Sequence, residues 1–177
     1  MTTHHDFVFV TDRVDDDVEE RLLDAGVEFT ISLHDGLNYL TVCVPGDGDP
    51  VGAAVACATT LARMGVRVHR ADLDLVNQQA IAFLGRVTPQ AVFKWVRSTG
   101  ATKFPTPHTS VSGPLWAWSA VDDWLRRTGK PHDATRPASP LEVEEFNHRW
   151  QQVATVPDAE SDTAGREARV GELVAQP

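Results

Sequence analysis

Cysteine is nearly missing from this chain of 177 residues: Cys43 and Cys57 are the only two, and they form no CxxC pair. That excludes a disulfide scaffold or a zinc finger and points to a reducing compartment, the cytoplasm. Long apolar runs are missing too, and none approaches the roughly 18–20 residues needed to cross a bilayer. The opening MTTHHDFVFVTD has no basic stretch feeding an apolar core, so no secretory signal is expected. Catalytic patterns are equally sparse. The seven histidines show no HxxxH spacing. The loop Gly46-Asp47-Gly48-Asp49-Pro50 lacks the Lys and Ser/Thr of a phosphate cradle, and its two aspartates would repel phosphate. The cluster Asp12, Asp15, Asp16 and Asp17 lacks the calcium-loop spacing with its closing Glu, and reads as a solvated helix start. No nucleophile, base and orienting group stand together, so the chain reads as a non-enzyme without cofactor or metal.

Positive charge is scarce overall, with 16 Lys and Arg against 25 Asp and Glu, a net charge of -9. The deficit is unevenly spread. Residues 1–76 hold five basic and fourteen acidic groups. Residues 77–130 reverse the sign: Arg86, Lys94, Arg97, Lys103, Arg126, Arg127 and Lys130 face only Asp122 and Asp123, a net of +5. Residues 131–177 return to four basic against nine acidic. Charges farther apart than about 8 Å are largely screened at physiological salt, so a local cationic segment can meet a phosphate backbone despite an acidic remainder.

With 42% hydrophobic residues the chain can bury a core. The pattern predicts an α+β fold in three parts: a ferredoxin-like βαββαβ domain over 1–74, a winged helix-turn-helix domain over 75–130, and a linker, amphipathic helix and mobile acidic tail over 131–177. In the first part Asp6 to Thr11 reads as a strand. Asp12 or Asp15 caps an acidic helix whose inner face is Val18, Leu22, Leu23 and Ala25, stopped by Gly26. Phe29, Ile31 and Leu33 alternate as a strand, Asp35-Gly36 signals a hairpin, and Leu37 to Val44 returns. Asp49 caps and Pro50 opens a second helix that ends at Gly65, and Val66 to Ala71 closes the unit. Domains of this order serve as dimerisation plates or small-ligand sensors, and element order alone does not choose between them.

In the second part Asn77 caps a short helix, Gln78 to Leu84, with Ala80, Ile81 and Leu84 inward. Gly85 breaks it, and Thr88-Pro89 starts the next helix with a capping hydroxyl and Pro at the first position. This is the helix-turn-helix pattern. Lys103 to Pro107 is a stiff connector. His108 to Val111 and Leu115 to Trp118 are expected to pair around Ser112-Gly113-Pro114 as a wing, and Ser119 to cap a closing helix.

The run IAFLGRVTPQAVFKWVRSTGATKFPTP, followed by PLWAWSAVDDWL, resembles the winged helix-turn-helix of the MerR and phage excisionase superfamily. It is most similar to small actinobacterial regulators that place an α+β unit before this module. The resemblance covers about residues 75–129 and implies sequence-specific binding of double-stranded DNA, often as a dimer, in transcription control or phage-type recombination.

On the second helix Ala91, Val92, Trp95 and Val96 form the inner face, with Thr88, Gln90, Lys94 and Arg97 outward. Gln90 is the expected adenine reader. Thr88, Lys94 and Arg97 are assigned to phosphates, joined by Arg86 in the turn and by Lys103. Phe93 either faces a thymine methyl or packs inward. Trp95 and Trp124 belong to the core. Pro89 stands where many relatives carry a polar reader, and the wing is neutral where related wings often carry Arg. Modest affinity per protomer follows. Homodimerisation is expected through the N-terminal sheet or the 140–153 helix, whose stripe of Val143, Phe146, Trp150 and Val153 must be buried within the chain or across a dimer axis. A small-molecule effector is left open, as are two other functions: an excisionase-like factor that bends a recombination site, and an adaptor that binds protein instead of DNA.

Overall fold

The computed structural model describes residues 3–34, 36–100, 102–111 and 113–154. The tail expected beyond Pro157 lies outside the described residues, as do Asp35 of the hairpin and Ser112 of the wing.

Strand β1 (His4–Thr11) runs into helix α1 (Asp16–Asp24), where Asp15 Oδ1 accepts from the Val18 N–H at 2.9 Å. Strands β2 (Phe29–His34) and β3 (Leu37–Pro45) pair as a hairpin. Helix α2 (Pro50–Arg63) starts with Asp49 Oδ1 accepting from the Gly52 N–H, and β4 (Val68–Asp72) follows. The sheet order is β2-β3-β1-β4, antiparallel at each step. Beside β4, a two-residue strand β7 (Arg136–Pro137) joins the other half of the same edge of β1, parallel to it at His5 and Asp6. The fold is therefore α+β, with a mixed sheet and six helices among the described residues.

Register decides the core. Phe7 opposes Val42 and Phe9 opposes Leu40, while Phe29 and Ile31 oppose the same two β3 residues from the other side. These side chains share one face, because strand residues two apart point the same way. Against it pack Val18 and Leu22 of α1, and Val51, Ala54, Ala58 and Leu61 of α2. Leu23 and Ala25, expected on the inner face of α1, are exposed instead. A helix of nine residues touching the sheet through Val18 and Leu22 has no room for a wider apolar stripe.

The third helix on this core is α6 (Pro140–Ala154). It opens with a capping box: the Ser139 N–H donates to Glu142 Oε2 at 2.7 Å and the Glu142 N–H to Ser139 Oγ at 3.3 Å. Val143, Phe146 and Trp150 are buried in the same cluster as Phe7 and Phe9, whereas Val153 stays exposed. The stripe is thus covered by the chain's own sheet. Val143, Phe146 and Trp150 therefore need no dimer axis to be buried. The stretch 131–139 is likewise no free linker, since Arg136 and Pro137 pair with β1 and the Ala138 N–H donates to the Asp6 carbonyl at 2.9 Å.

The opposite face of the sheet carries Asp6, Val8, Tyr39, Thr41 and Cys43, all half-buried. Burial, with Asp6 and Glu28 nearby, pushes the Cys43 thiol up to about 11, and burial does the same to Cys57. Both remain protonated and poorly nucleophilic at neutral pH. Burial also raises Asp6, and raises Asp74 with help from the Asp6 charge. A carboxyl whose folded pKa lies above its unfolded value binds its proton more tightly when folded. Its stabilising contribution is complete below 3.8 and is lost as pH rises through the raised folded value. A double Asp6→Asn, Asp74→Asn variant should therefore gain stability relative to the parent as pH rises from about 4 toward neutrality. Urea midpoints measured across that range would show the gap widening. A constant gap would refute it.

The second lobe has its own core. Strand β5 (Leu75–Val76) pairs antiparallel with β6 (Trp116–Ala117). Around this ribbon stand α3 (Gln78–Leu84), α4 (Pro89–Val96) and α5 (Trp118–Arg127). Val76, Ile81, Val92, Phe104, Trp116, Val121, Trp124 and Leu125 are buried together. The Trp116 Nε1–H donates to the Pro105 carbonyl and the Trp124 Nε1–H to the Thr102 carbonyl, both at 3.0 Å. Each indole thus buries its ring without stranding its donor. Two local expectations are corrected. Ser119 is not a cap: α5 starts at Trp118 after Ala117, without a side-chain cap, and Ser119 is buried inside the helix. Residues 108–111 and 115–118 do not form a two-stranded wing. A single bridge joins Thr109 to Leu115, while Trp116 and Ala117 pair with β5. Extending the wing ladder past Thr109 and Leu115 would set Ala117 opposite Pro107, which has no N–H to donate.

Candidate nucleic-acid interface

The turn between α3 and α4 is built by close backbone approach. A Cβ on Gly85 would stand 2.9 Å from the Ile81 carbonyl oxygen, so only glycine fits. Arg86 follows at φ 51, the left-handed conformation that reverses a chain after a helix. Its N–H donates to the Phe83 carbonyl, and that of Val87 to the Ala82 carbonyl. Thr88 then caps α4, with its Oγ1 accepting from the Ala91 N–H at 3.3 Å. The hydroxyl hydrogen remains available to an outside acceptor.

The turn sets the roll of α4. Val92 is buried and Ala91, Trp95 and Val96 are half-buried, with Trp95 against Trp124 at 5.2 Å between ring centroids. Thr88, Gln90, Phe93, Lys94 and Arg97 are exposed. Phe93 is therefore not a packing residue, because its position three after Gln90 and four before Arg97 puts it on their face. Gln90, Phe93, Lys94 and Arg97 form one stripe, and no acidic residue occurs between Asp74 and Asp122.

The remaining cations of the segment divide. Lys103 is exposed, near the end of the loop that follows α4. Arg86 is exposed but ion-paired to Asp133 at 3.3 Å. Arg126 is taken out of the surface: its Nε meets Asp122 Oδ2 at 2.6 Å, and its Nη2 donates to the carbonyls of both Asp133 and Thr135. It clamps the 131–137 strap onto α5, so the segment's formal +5 overstates what faces solvent. Lys130 lies over the Trp95 and Trp124 rings at 5.2 and 5.1 Å.

Three features were not legible in the sequence. Gly113, Pro114 and Leu115, beside the bridge between Thr109 and Leu115, line a cleft with Asn77, Gln78 and Gln79 at the start of α3. These amides lack any charge signal that would mark them as a surface for recognition. Phe83 of α3 is 83% exposed, although its place in an apolar run suggests burial. Arg136, in the stretch that reads as a linker, pairs with Asp123 of α5 at 3.6 Å. No helix among the described residues is long and apolar enough to cross a membrane. No family model, curated protein or solved structure matches the chain.

Proposed function

We propose that this chain binds double-stranded DNA sequence-specifically as a transcriptional regulator, with residues 75–130 acting as a winged helix-turn-helix and the sheet domain as a ferredoxin-like βαββαβ unit that carries it. One observation supports this above the others. The four outward residues of α4 form a single exposed stripe of amide, ring and two cations, in a stretch of the chain without one carboxylate. A helix about 10–12 Å across fits the B-DNA major groove, about 12 Å wide. Gln90 near the start of α4 pairs with an adenine edge, and Lys94 and Lys103 meet phosphates. Thr88 adds a hydroxyl donor at the helix start, and Arg86 reaches the backbone once it exchanges Asp133 for a phosphate. The wing is short and neutral, so it guides the duplex by shape and adds little charge.

With about three phosphates neutralised, the affinity of one protomer should fall with salt at a slope of about -3 on logarithmic axes. The test is a fluorescence titration of duplexes from the neighbourhood of the chain's own coding sequence. A Gln90→Ala, Lys94→Ala, Arg97→Ala variant should keep its melting temperature, since all three side chains are exposed. It should lose affinity for the preferred duplex by about 100-fold and, with the Lys94 phosphate contact gone, flatten the salt slope by about 0.9. Unchanged binding would defeat the reading.

A further inference from the structure

Gln90, Phe93, Lys94 and Arg97 follow the i, i+3, i+4, i+7 spacing of one helix face. Within that stripe the Arg97 guanidinium rests over the Phe93 ring, with Cζ 3.9 Å from the ring centroid. Arg97 is the C-cap residue of α4, so it leaves the helix with its side chain laid back along the preceding turn. Among the described residues it forms no ion pair. Arg70, Arg86, Arg126, Arg136 and Arg149 each have a carboxylate within bridging distance. Arg97 is thus held by an aromatic ring in a carboxylate-free stretch of sequence, with its hydrogen-bond donors uncommitted among the described residues.

That arrangement suits one task better than another. A phosphate contact needs a positive charge and tolerates a wandering side chain. Reading a base needs the flat fork of a guanidinium in a fixed place, where two N–H groups meet the O6 and N7 acceptors of guanine together. Stacking on a ring restricts the rotamers before any duplex arrives and so reduces the ordering cost of the contact. It leaves the rim of the guanidinium, where the donors lie, pointing away from the ring face.

We infer that Arg97 is the guanine-reading residue of this site and that Phe93 is its positioning residue. This assigns Arg97 to base edges in place of the phosphate role expected from the sequence, and it rests on the duplex-binding reading above. The stripe also gives the spacing. Seven residues at 1.5 Å each separate Gln90 from Arg97, a span of about 10 Å, or about three base-pair steps of 3.4 Å. Each protomer therefore reads an adenine and a guanine about three steps apart. The exposed ring of Phe93, between the two readers, meets an intervening thymine methyl.

The experiment is selection of preferred duplexes from a randomised library by the full chain. Affinities are then measured for the winning duplex and for copies with each fixed guanine replaced. Three proteins are compared: the parent, Arg97→Lys and Phe93→Ala. The parent should show one guanine per half-site whose replacement costs about tenfold or more. Arg97→Lys keeps the charge, so its salt slope and its affinity for random DNA should match the parent, while discrimination at that guanine falls to about twofold. Phe93→Ala should weaken discrimination at the same position with the melting temperature unchanged, a result that loss of packing alone would not produce. Parent-like discrimination by both variants would overturn the inference and leave duplex binding standing. A parent protein that binds no duplex at 50 mM salt, as about the most permissive condition for phosphate contacts, would overturn the duplex reading and this inference with it.

Discussion

Replacing Phe146 by alanine is expected to lower the folding free energy by about 3–5 kcal/mol, the range for removing a large aromatic side chain from a packed core. Phe146 is fully buried, stacked on Phe9 at 4.9 Å between centroids, and in contact with Phe7 at 6.0 Å and Trp150 at 6.1 Å. Its helix is tied down by more than apolar area. The Trp150 Nε1–H donates to the Val68 carbonyl at 2.9 Å. The Asn147 amide exchanges two hydrogen bonds with the backbone of Ala71, taking the Ala71 N–H on Oδ1 and giving Nδ2–H to the Ala71 carbonyl. Asn147 thus satisfies outward backbone groups of β4, as a neighbouring strand would. Removing the ring opens a cavity that these polar contacts prevent from collapsing. The urea midpoint should drop sharply with little change in slope. A loss under about 1 kcal/mol would mean that α6 is an accessory to the sheet and not part of its core.

Arg126→Ala is the second large effect expected, again about 3–5 kcal/mol, the penalty for breaking a buried pair by removing one partner. The Asp122 side chain is 3% exposed and that of Arg126 19%. Without the guanidinium, a carboxylate is left in the interior beside Ser119 and the strap. The carbonyls of Asp133 and Thr135 lose their donor in the same step. The remedy separates charge from shape: an Asp122→Asn, Arg126→Met double variant removes both charges, keeps most of the volume and should recover much of the loss. Both are read by thermal or urea melts. The folded fraction of each variant should keep the parental salt slope on DNA, because Arg126 is turned into the strap and away from the α4 stripe. A reduced slope would show that Arg126 does contact phosphate and that the clamp is incidental.

These two sites mark where the sequence could be read and where it could not. The caps were legible because a cap is a local event: Asp15, Asp49, Asn77, Thr88 and Ser139 each bond to an N–H three residues ahead. The outward stripe of α4 was legible for the same reason, since helical spacing fixes which residues share a face once one of them is known to be buried. The apolar stripe of α6 was visible too, but not what covers it. Spacing shows that Phe146 needs a partner, while only the paired register of β1 and β3 puts Phe7 and Phe9 beneath it. The fate of the cations was hidden in the same way. Arg126 and Arg97 are both single positive charges in a basic segment, and one is clamped to a buried carboxylate while the other rests on a ring.

What the amino-acid order determined by itself was the capped starts of five helices, the acid-free stretch from residue 75 to 121, and the face that α4 keeps for solvent. These depend on neighbours within a turn or two, where covalent geometry and hydrogen-bond reach leave few choices. Tertiary structure decided the pairing of β6 with β5 in place of a longer wing, the absorption of α6 into the first core, and the division of the cations into structural and free. Each of those outcomes is a competition between partners far apart in sequence. Such a competition is won by whichever contact buries more area or strands fewer polar groups, and that comparison exists only once the chain has closed on itself.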